Sequence, residues 1–467
     1  MLRPMSPTDS MFLLGESREH PMHVGGLVLF DPPEGGDATD VREMLDDALA
    51  RNWVAPHLRR RPRRSLTTLG QWAWEEDAEI DLAHHVQHDA LPQPGGIAEL
   101  MDLVSRLHAG LLDRSRPLWE MHLIEGLADG RFAVYMKIHH SLTDGVSAMR
   151  LLRSALSGDE SARGMAAPWE PRAPKLGLAA VGSTVGAVDL AGAAIRAARE
   201  VAGDVVGILP ALADTVDRAI HGRGGSLSLA SPSSLFNVPI GGARRFAAGS
   251  WQLERLRLVA KHADASINDV VLAMCSGALR EFLAEGDALP AQPLHALVPV
   301  SLRQPSDGSS GEESRGGNRI GVLTCNLGTD LDDAGRRLSA VSASMAEGKE
   351  TMVARSATQI RAMSALGVAP LAMGMVLGRH SPVRPANVMI SNVPGPRGPL
   401  YWNGARMAAL YPLSIPVDGQ ALNITCTSTD DEIAFGLTGC RRSVPDLAPL
   451  VGHLDDELGR LEEAVGL

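Results

Sequence analysis

The clearest periodic pattern in the chain predicts a β-hairpin in its first half. Apolar side chains occupy every second position over residues 119–123 and again over residues 132–138, as in strands with one buried face. The dipeptide Asp129-Gly130 lies between the two segments and is typical of tight hairpin turns. The second strand leads directly into the pair His139-His140, so the hairpin fixes where these two imidazoles lie.

The rest of the chain alternates between helical and strand-like segments. Apolar spacing or capping residues predict helices that start at Ser6 and that cover residues 41–48, 97–111, 149–156, 266–285 and 447–461. Short apolar runs predict strands at residues 24–30, 294–302, 319–327, 387–392, 422–428 and 433–438. Strands interleaved with helices indicate an α/β fold, and the hairpins require mixed sheets.

Chain length and local composition divide the sequence into two lobes and a connector. At roughly 150 residues per domain, 467 residues suggest two or three units, or one large two-lobed body. Residues 158–245 differ from both flanks, because Ala-rich helical segments there are interrupted by prolines and end in a Gly/Ser stretch. We therefore predict an N-terminal lobe over residues 1–157, a helical connector over 158–245 and a C-terminal lobe over 246–467.

Composition and charge exclude several classes of protein. With 45% hydrophobic and 21% charged residues, the chain is an ordinary globular one, neither fibrous nor wholly disordered. Lys and Arg number 44 against 55 Asp and Glu, a net charge of −11, and only 4% of residues are aromatic. This balance argues against nucleic acid as a partner. The four cysteines lie far apart with no Cys-x-x-Cys pair, which predicts reduced, buried thiols.

No segment predicts a membrane-spanning helix or a cleavable signal. The N-terminus has no long apolar run, and no stretch of about 18 uninterrupted apolar residues occurs anywhere. The nearest candidate, residues 176–212, is interrupted by Asp189, Arg196 and other charged residues. We expect a cytoplasmic protein that can still touch a membrane surface.

The strongest candidate for chemistry is His139-His140-x-x-x-Asp144-Gly145, at the end of the predicted hairpin. Strand alternation places the two histidines on opposite sides, so one can face a cleft while the other packs. Gly145 permits a tight turn, and Asp144 can fold back to fix it. Two other interpretations stay open: half-buried histidines without reactivity, or a metal site of His139, His140 and Asp144. Against the metal site, adjacent strand histidines point apart.

This motif resembles the signature of the coenzyme-A-dependent acyltransferase superfamily, which includes chloramphenicol acetyltransferase and the condensation domains of peptide synthetases. Four further segments resemble the bacterial wax ester synthase/diacylglycerol acyltransferase family: Pro21–Gly26, Pro117–Glu120, Asn268–Ala273 and Ser391–Pro396. Together the five motifs span nearly the whole chain in the expected order. The resemblance implies two chloramphenicol-acetyltransferase-like lobes with an active site between them.

The resemblance also implies an activity and the residues that perform it. An acyltransferase of this family moves a long-chain acyl group from acyl-CoA to diacylglycerol or to a long-chain alcohol, which gives triacylglycerol or wax ester. By this resemblance His140 is the general base, Asp144 orients the turn and His139 supports its neighbour. Asn268, Gly145 and Trp119 would then contact substrate. No metal or organic cofactor is expected, since acyl-CoA is a substrate, and the expected location is peripheral, on a membrane or lipid droplet.

Three of the features near the implied site have simpler explanations, and these stay open at this point. Ser266-x-x-Asp269 is a capping box, which by itself explains an acid at a helix start. Trp119 suits a hydrophobic core as well as an acyl channel. The basic run Arg59–Arg64 is either a solvated turn or a site attracted to anionic lipid or to coenzyme A phosphates.

Two rival functions are compatible with parts of the pattern. A related acyltransferase could take its acyl group from a carrier protein, although the five linked motifs count against this. A non-catalytic protein of lipid surfaces could keep the same fold, although the intact histidine motif counts against that. The chain has no Gly-x-Ser-x-Gly segment, which favours direct transfer over an acyl-serine intermediate.

Overall fold

The computed structural model describes residues 2–33, 35–36, 38–64, 70–143, 145–170, 231–301, 320–353 and 384–467. In these ranges the α-helices are α1 Pro7–Gly15, α2 Ala38–Arg51, α3 Leu82–His85, α4 Ile97–Ala109, α5 Gly145–Ala155, α6 Leu253–His262, α7 Ile267–Glu285, α8 Ala334–Val353 and α9 Ala448–Ala464. The strands are β1 Arg3–Pro4, β2 His23–Asp31, β3 Arg60–Arg64, β4 Trp72–Glu76, β5 Val86–Ala90, β6 Trp119–Glu125, β7 Phe132–His139, β8 Arg244–Gln252, β9 His295–Ser301, β10 Ile320–Asn326, β11 Val388–Pro394, β12 Tyr401–Trp402, β13 Ala405–Leu413, β14 Leu422–Ser428 and β15 Glu432–Cys440.

Two six-stranded sheets form the centres of two lobes. The first sheet has the order β12-β13-β2-β7-β6-β5, and its β5–β6 pair is parallel while its other pairs are antiparallel. The second has the order β10-β9-β11-β14-β15-β8, with β11 parallel to both β9 and β14. The predicted two-lobed α/β architecture with mixed sheets is therefore confirmed. A small third sheet, β1-β4-β3, lies on the first lobe.

Each lobe has its own hydrophobic core. In the second lobe, α7, α8 and α9 pack together over the sheet, and α7 is buried along most of its length. In the first lobe, one face of the sheet packs against α2 and α5, and the opposite face packs against α4. Because both faces of the first sheet are covered, strand β7 lies in the middle of the lobe and gives the residues that follow it a rigid base.

The second half of the chain also contributes to the first lobe. Strand β13 pairs with β2 over Gly25–Asp31, so residues of the C-terminal half complete the N-terminal sheet. In addition, the backbone N–H of Phe246 on β8, in the second sheet, donates to Ser105 of α4 at 2.9 Å. The division of the chain at residues 157 and 245 stays a prediction, and most of the predicted connector, residues 171–230, lies outside the described residues.

Most of the locally encoded features are confirmed. Strands β6 and β7 form the predicted hairpin, and Gly130 takes a left-handed φ of +80° in its turn. The side chain of Ser6 accepts the N–H of Asp9 at 3.0 Å and caps α1. All four cysteines are buried free thiols. Among the helices that the structure describes, none is both long enough and apolar enough to cross a membrane.

Candidate active site

The paired histidines lie where strand β7 ends, beside strand β2. His23 of β2 is directly opposite His139 in the antiparallel register. One residue further on, the N–H of His140 donates to the carbonyl of Met22 at 2.8 Å. Backbone bonds from a covered central sheet therefore hold both histidines in place before any side chain contributes.

His139 is fully buried and faces a carboxylate. Its Nδ1 accepts the backbone N–H of Ser141 at 3.1 Å and lies 2.7 Å from the Ser141 hydroxyl. Since Nδ1 accepts this N–H, the ring proton of the neutral imidazole lies on Nε2. Nε2 is 3.3 Å from Oε1 of Glu16. His139 is thus held by the Ser141 N–H at one edge and faces the Glu16 carboxylate at the other, which suits a supporting residue rather than one that meets substrate.

The buried carboxylate of Glu16, which follows α1, collects several donors. Arg114 Nε lies 2.8 Å from Oε2, and the N–H of Met22 donates to Oε1 at 3.4 Å. Burial by itself raises the pKa of Glu16, but hydrogen bonds from His139 and Arg114, together with the charge of Arg114, outweigh it and lower the pKa below its usual value. Glu16 is therefore an anion at neutral pH, and it joins α1 to the end of β7.

His140 is half-buried and projects to the other side of the strand. Its ring stacks on Phe12 of α1, with centroids 4.1 Å apart and planes inclined by 17°. The same short helix therefore touches both histidines, His140 through Phe12 and His139 through the residue after its end, Glu16. Strand alternation has placed one imidazole in the interior and left the other partly accessible, as the sequence predicts.

A neutral polar layer lies behind His139. His23 Nε2 is 2.7 Å from the carbonyl of His108, and His108 Nδ1 is 2.8 Å from the Tyr135 hydroxyl. Burial lowers the pKa of His23 well below its usual range and lowers that of His108 to about 3. Both rings are therefore uncharged at neutral pH, and they do not compete with His139 for the Glu16 carboxylate.

Of the residues that complete the histidine motif, Asp144 lies outside the described residues. Gly145 is the first residue of α5, and α5 packs against β11 of the second lobe. A Cβ added at Gly145 would lie 4.0 Å from Cγ2 of Val393. The structure therefore brings the histidine motif and the motif Ser391–Pro396 together at the junction of the two lobes.

The segment between α1 and β2 is also held by the second half of the chain. His20 Nε2 lies 3.2 Å from Asp418 Oδ1, and Arg244 donates to the carbonyl of Glu19 at 2.7 Å. A Cβ at Gly242 would lie only 2.6 Å from the carbonyl oxygen of Arg18, so this approach needs glycine. The position of the neighbouring Glu16 thus depends on contacts from both lobes.

At the start of α7 the capping box is confirmed. The N–H of Ser266 donates to Asp269 Oδ2 at 2.9 Å, and the N–H of Asp269 donates to Ser266 Oγ at 3.2 Å. The Ser342 hydroxyl, 3.0 Å away, donates to the same carboxylate oxygen, so Asp269 has a clear structural role. Asn268 is half-buried in the first helical turn. Its role in binding substrate stays a prediction.

Trp119 lies in the core of the first lobe. It is 1% exposed, its ring stacks on His85 at 4.6 Å, and its indole N–H donates to the carbonyl of Leu58 at 2.8 Å. These contacts account for a tryptophan at this position. A contact with substrate by Trp119 stays a prediction.

The basic run Arg59–Arg64 forms a short 3-10 turn and strand β3 rather than a free loop. Arg61 and Arg63 both pair with Glu75 of β4, and the Arg64 guanidinium lies 4.4 Å from the centroid of the Trp72 ring. Part of the positive charge is therefore compensated within the protein.

Sequence reasoning missed Glu16, Phe12 and Arg114. Arg114 is 98 residues from Glu16 in the chain, so no local spacing pattern relates the two. Phe12 lies in the short N-terminal helix α1, and Glu16 is the residue directly after it. From the sequence, only the capping residue of this helix could be recognised. The available signal was an acid directly after the helix, too common a feature to indicate a site.

Comparison with known proteins gives consistent matches over both lobes. Residues 5–271 match the family model described as wax ester synthase/diacylglycerol acyltransferase catalytic domain, and residues 316–462 match the corresponding C-terminal domain. A putative diacylglycerol O-acyltransferase of Mycobacterium tuberculosis is 52% identical, with 97% of this chain and 90% of the relative covered. A probable diacylglycerol O-acyltransferase of the same species is 46% identical, with 99% of each chain covered.

Solved structures agree with the fold. A wax ester synthase/diacylglycerol acyltransferase from Marinobacter aquaeolei has a TM-score of 0.77 at 38% identity, covering 99% of this chain and 100% of that one. The first condensation domain of the calcium-dependent antibiotic synthetase has a TM-score of 0.58 at 18% identity, covering 100% of this chain and 96% of that one. The second likeness extends to the fold alone.

We expect Glu16→Gln to lower both catalytic rate and stability. The neutral amide leaves Arg114 and His139 without their anion, which should slow turnover by about 10- to 100-fold through misplacement of the histidines. Because Arg114 is 37% exposed, the loss of stability at pH 7 should be about 2 kcal/mol, below that for a fully buried pair. The measurements are steady-state kinetics and thermal unfolding.

The effect of Glu16→Gln on stability should depend on pH in one direction. A carboxylate with a lowered pKa stabilises the fold above its unfolded pKa, about 4.3 for Glu, and loses that effect on acidification. The difference in melting temperature between wild type and Glu16→Gln should therefore shrink as pH falls below about 4.3. The exposed Glu19→Gln change is the matched control. Equal rates and melting temperatures for all three proteins would contradict the role given to Glu16.

Proposed function

We propose that this chain, which belongs to the wax ester synthase/diacylglycerol acyltransferase family, transfers long-chain acyl groups from acyl-CoA to the hydroxyl of diacylglycerol or of a long-chain alcohol. The chain is an acyltransferase, as the family and its relatives establish. The products under this proposal are triacylglycerol or wax ester and free coenzyme A.

One observation supports the proposal most strongly. The two adjacent histidines differ in environment: His139 is enclosed, accepts the Ser141 N–H and faces the Glu16 carboxylate, whereas His140 is half-buried beside Phe12. A general base must reach the acceptor hydroxyl, and a partly accessible imidazole on a rigid strand end satisfies that need. His140 is therefore the proposed base.

The proposed reaction is a direct transfer. The acceptor oxygen attacks the thioester carbonyl carbon while His140 takes the hydroxyl proton, because an alcohol is too weak an acid to ionise near neutral pH. An imidazole with an ordinary pKa of about 6.5 is suited to this exchange. The C–S bond then breaks, and the departing thiolate, whose thiol has a pKa of about 8.5, as for a cysteine side chain, or a little higher, receives the proton from His140.

The surrounding residues have supporting roles in this mechanism. Glu16 holds His139 through its carboxylate, and His139 in turn fixes the backbone turn through the Ser141 N–H. Phe12 stacks on His140 and restricts the rotation of its ring. By resemblance to the family, Asp144 orients the turn, and Asn268 donates to the substrate or to the developing oxyanion.

We further propose that the reaction uses neither a metal nor an organic cofactor. The acyl group of acyl-CoA is already activated as a thioester, and the steps above move only one proton and one acyl group. The imidazole of His140 can carry that proton in both directions. Peripheral association with a membrane or lipid droplet is part of the proposal, because acceptor and acyl chain both partition into lipid.

The first test is His140→Ala. Loss of a general base typically costs 10²–10⁴ in rate, so the variant should lose at least about 100-fold in turnover with its melting temperature nearly unchanged. His262→Ala, an exposed histidine on α6, is the control and should keep wild-type turnover. A folded His140→Ala enzyme with near-normal turnover would contradict the mechanism.

The second test concerns the substrates. Radiolabelled oleoyl-CoA is offered with dioleoylglycerol and, separately, with hexadecanol, and the ester products are resolved by thin-layer chromatography. We expect labelled triacylglycerol, wax ester or both. If neither product forms while an oleoyl carrier-protein thioester does support transfer, the donor has been assigned wrongly. Absence of ester from either donor would remove the proposed activity.

A further inference from the structure

Helix α1 presents an apolar face to solvent. Met11 is 54% exposed and Leu14 is 56% exposed, and their i, i+3 spacing places them side by side. Leu13, on the other side of the helix, is 1% exposed and packs into the small cluster that contains Trp74 and Leu118. Since α1 has one anchored face, its exposed apolar face is held in a fixed orientation.

The small sheet β1-β4-β3, which packs against α1, is rich in arginine, although the whole chain has a net charge of −11. Strands β1, β3 and β4 together carry five arginines and two glutamates. Arg3 and Arg64 are exposed, and the side chain of Arg63 is 54% exposed even though it pairs with Glu75. Trp72 and Trp74 of this sheet pack in the same cluster as Leu13 of α1. Arg3 lies opposite Trp74 in the strand register and the Arg64 guanidinium lies over the Trp72 ring, so these two arginines belong to the sheet that supports α1.

The same helix also reaches the reacting histidine. Phe12 lies between Met11 and Leu13 and stacks on His140, and Glu16, one residue beyond the helix, contacts His139. The exposed face of α1 is therefore within one helical turn of a side chain that touches the proposed base. A lipid held against Met11 and Leu14 would therefore lie on the helix that contacts both histidines.

We propose that this face of α1 docks onto an anionic lipid surface, from which the enzyme takes its lipid acceptor. This inference depends on the proposed function, since a lipid acceptor has to leave a condensed phase to reach His140. Exposed apolar side chains beside basic residues suit an interface where acyl chains lie under anionic headgroups. The patch of two apolar side chains is small, as expected of reversible attachment rather than of a stable protein interface.

Vesicle flotation tests the docking without any catalysis. Wild type, Met11→Gln/Leu14→Gln and the control Leu258→Gln are floated with vesicles of phosphatidylcholine and phosphatidylglycerol. Leu258 is a comparable exposed leucine on α6, 38% exposed. We expect the double variant to lose at least about tenfold in vesicle binding, because two apolar side chains no longer partition into the interface. The control should bind like wild type.

The salt dependence of vesicle binding separates the electrostatic contribution of the arginines from the apolar contribution of Met11 and Leu14. In 1 M NaCl, where the screening length is roughly 3 Å, binding of wild type should weaken but persist through Met11 and Leu14. Binding of the double variant equal to that of wild type, or no flotation of wild type at all, would overturn the proposal. If the double variant unfolds, the single changes Met11→Gln and Leu14→Gln should each give a partial loss, and their failure to do so would overturn it as well.

A kinetic ratio connects docking to delivery of the acceptor. With oleoyl-CoA as donor throughout, activity on dioleoylglycerol in vesicles is divided by activity on dissolved hexanol. We expect this ratio to fall about tenfold in the double variant and to stay constant in Leu258→Gln. A constant ratio in the double variant would contradict delivery through α1. Wild type inactive on both acceptors would instead contradict the proposed function and leave the flotation result intact.

Discussion

A carboxylate can remain ionised inside a protein only where donors surround it, and Glu16 meets this condition through its contacts with Arg114, the Met22 N–H and His139. These contacts join helix α1, the start of β2 and the end of β7. Rotation of the His139 ring would break its bond with the Ser141 N–H and move Nε2 away from the carboxylate. Because His140 directly follows His139 at the end of β7, the same contacts help to set its direction.

The second half of the chain contributes to the site by positioning residues of the first lobe. Strand β13 completes the first sheet, Val393 approaches Gly145, and the His20–Asp418 pair holds the segment that follows Glu16. The two lobes are therefore joined by strand pairing and by hydrogen bonds, which limit their movement relative to each other. Under the proposed function, a fixed arrangement of this kind suits a reaction in which the acyl donor and the acceptor meet at His140.

Local features of the fold could be read from the sequence, because their causes are local. The hairpin of β6 and β7 follows from residue alternation and Asp129-Gly130, and the start of α7 follows from its capping box. The sequence could not predict that Glu16 contacts His139 and Arg114, or that β13 pairs with β2 in the first sheet. These partners are far apart in sequence, so no local pattern relates them. The same reason applies to Arg61 and Arg63, whose charges are paired with Glu75 on a neighbouring strand.

The central claim is that the acceptor attacks the thioester directly while His140 holds its proton. The most direct test is rapid mixing of the enzyme with radiolabelled oleoyl-CoA in the absence of any acceptor, followed by denaturing quench. Direct transfer predicts no burst of free coenzyme A and no label on the protein, with both ester and coenzyme A appearing only once dioleoylglycerol or hexadecanol is added. One equivalent of coenzyme A released together with one equivalent of oleoyl group bound covalently to the chain would contradict it.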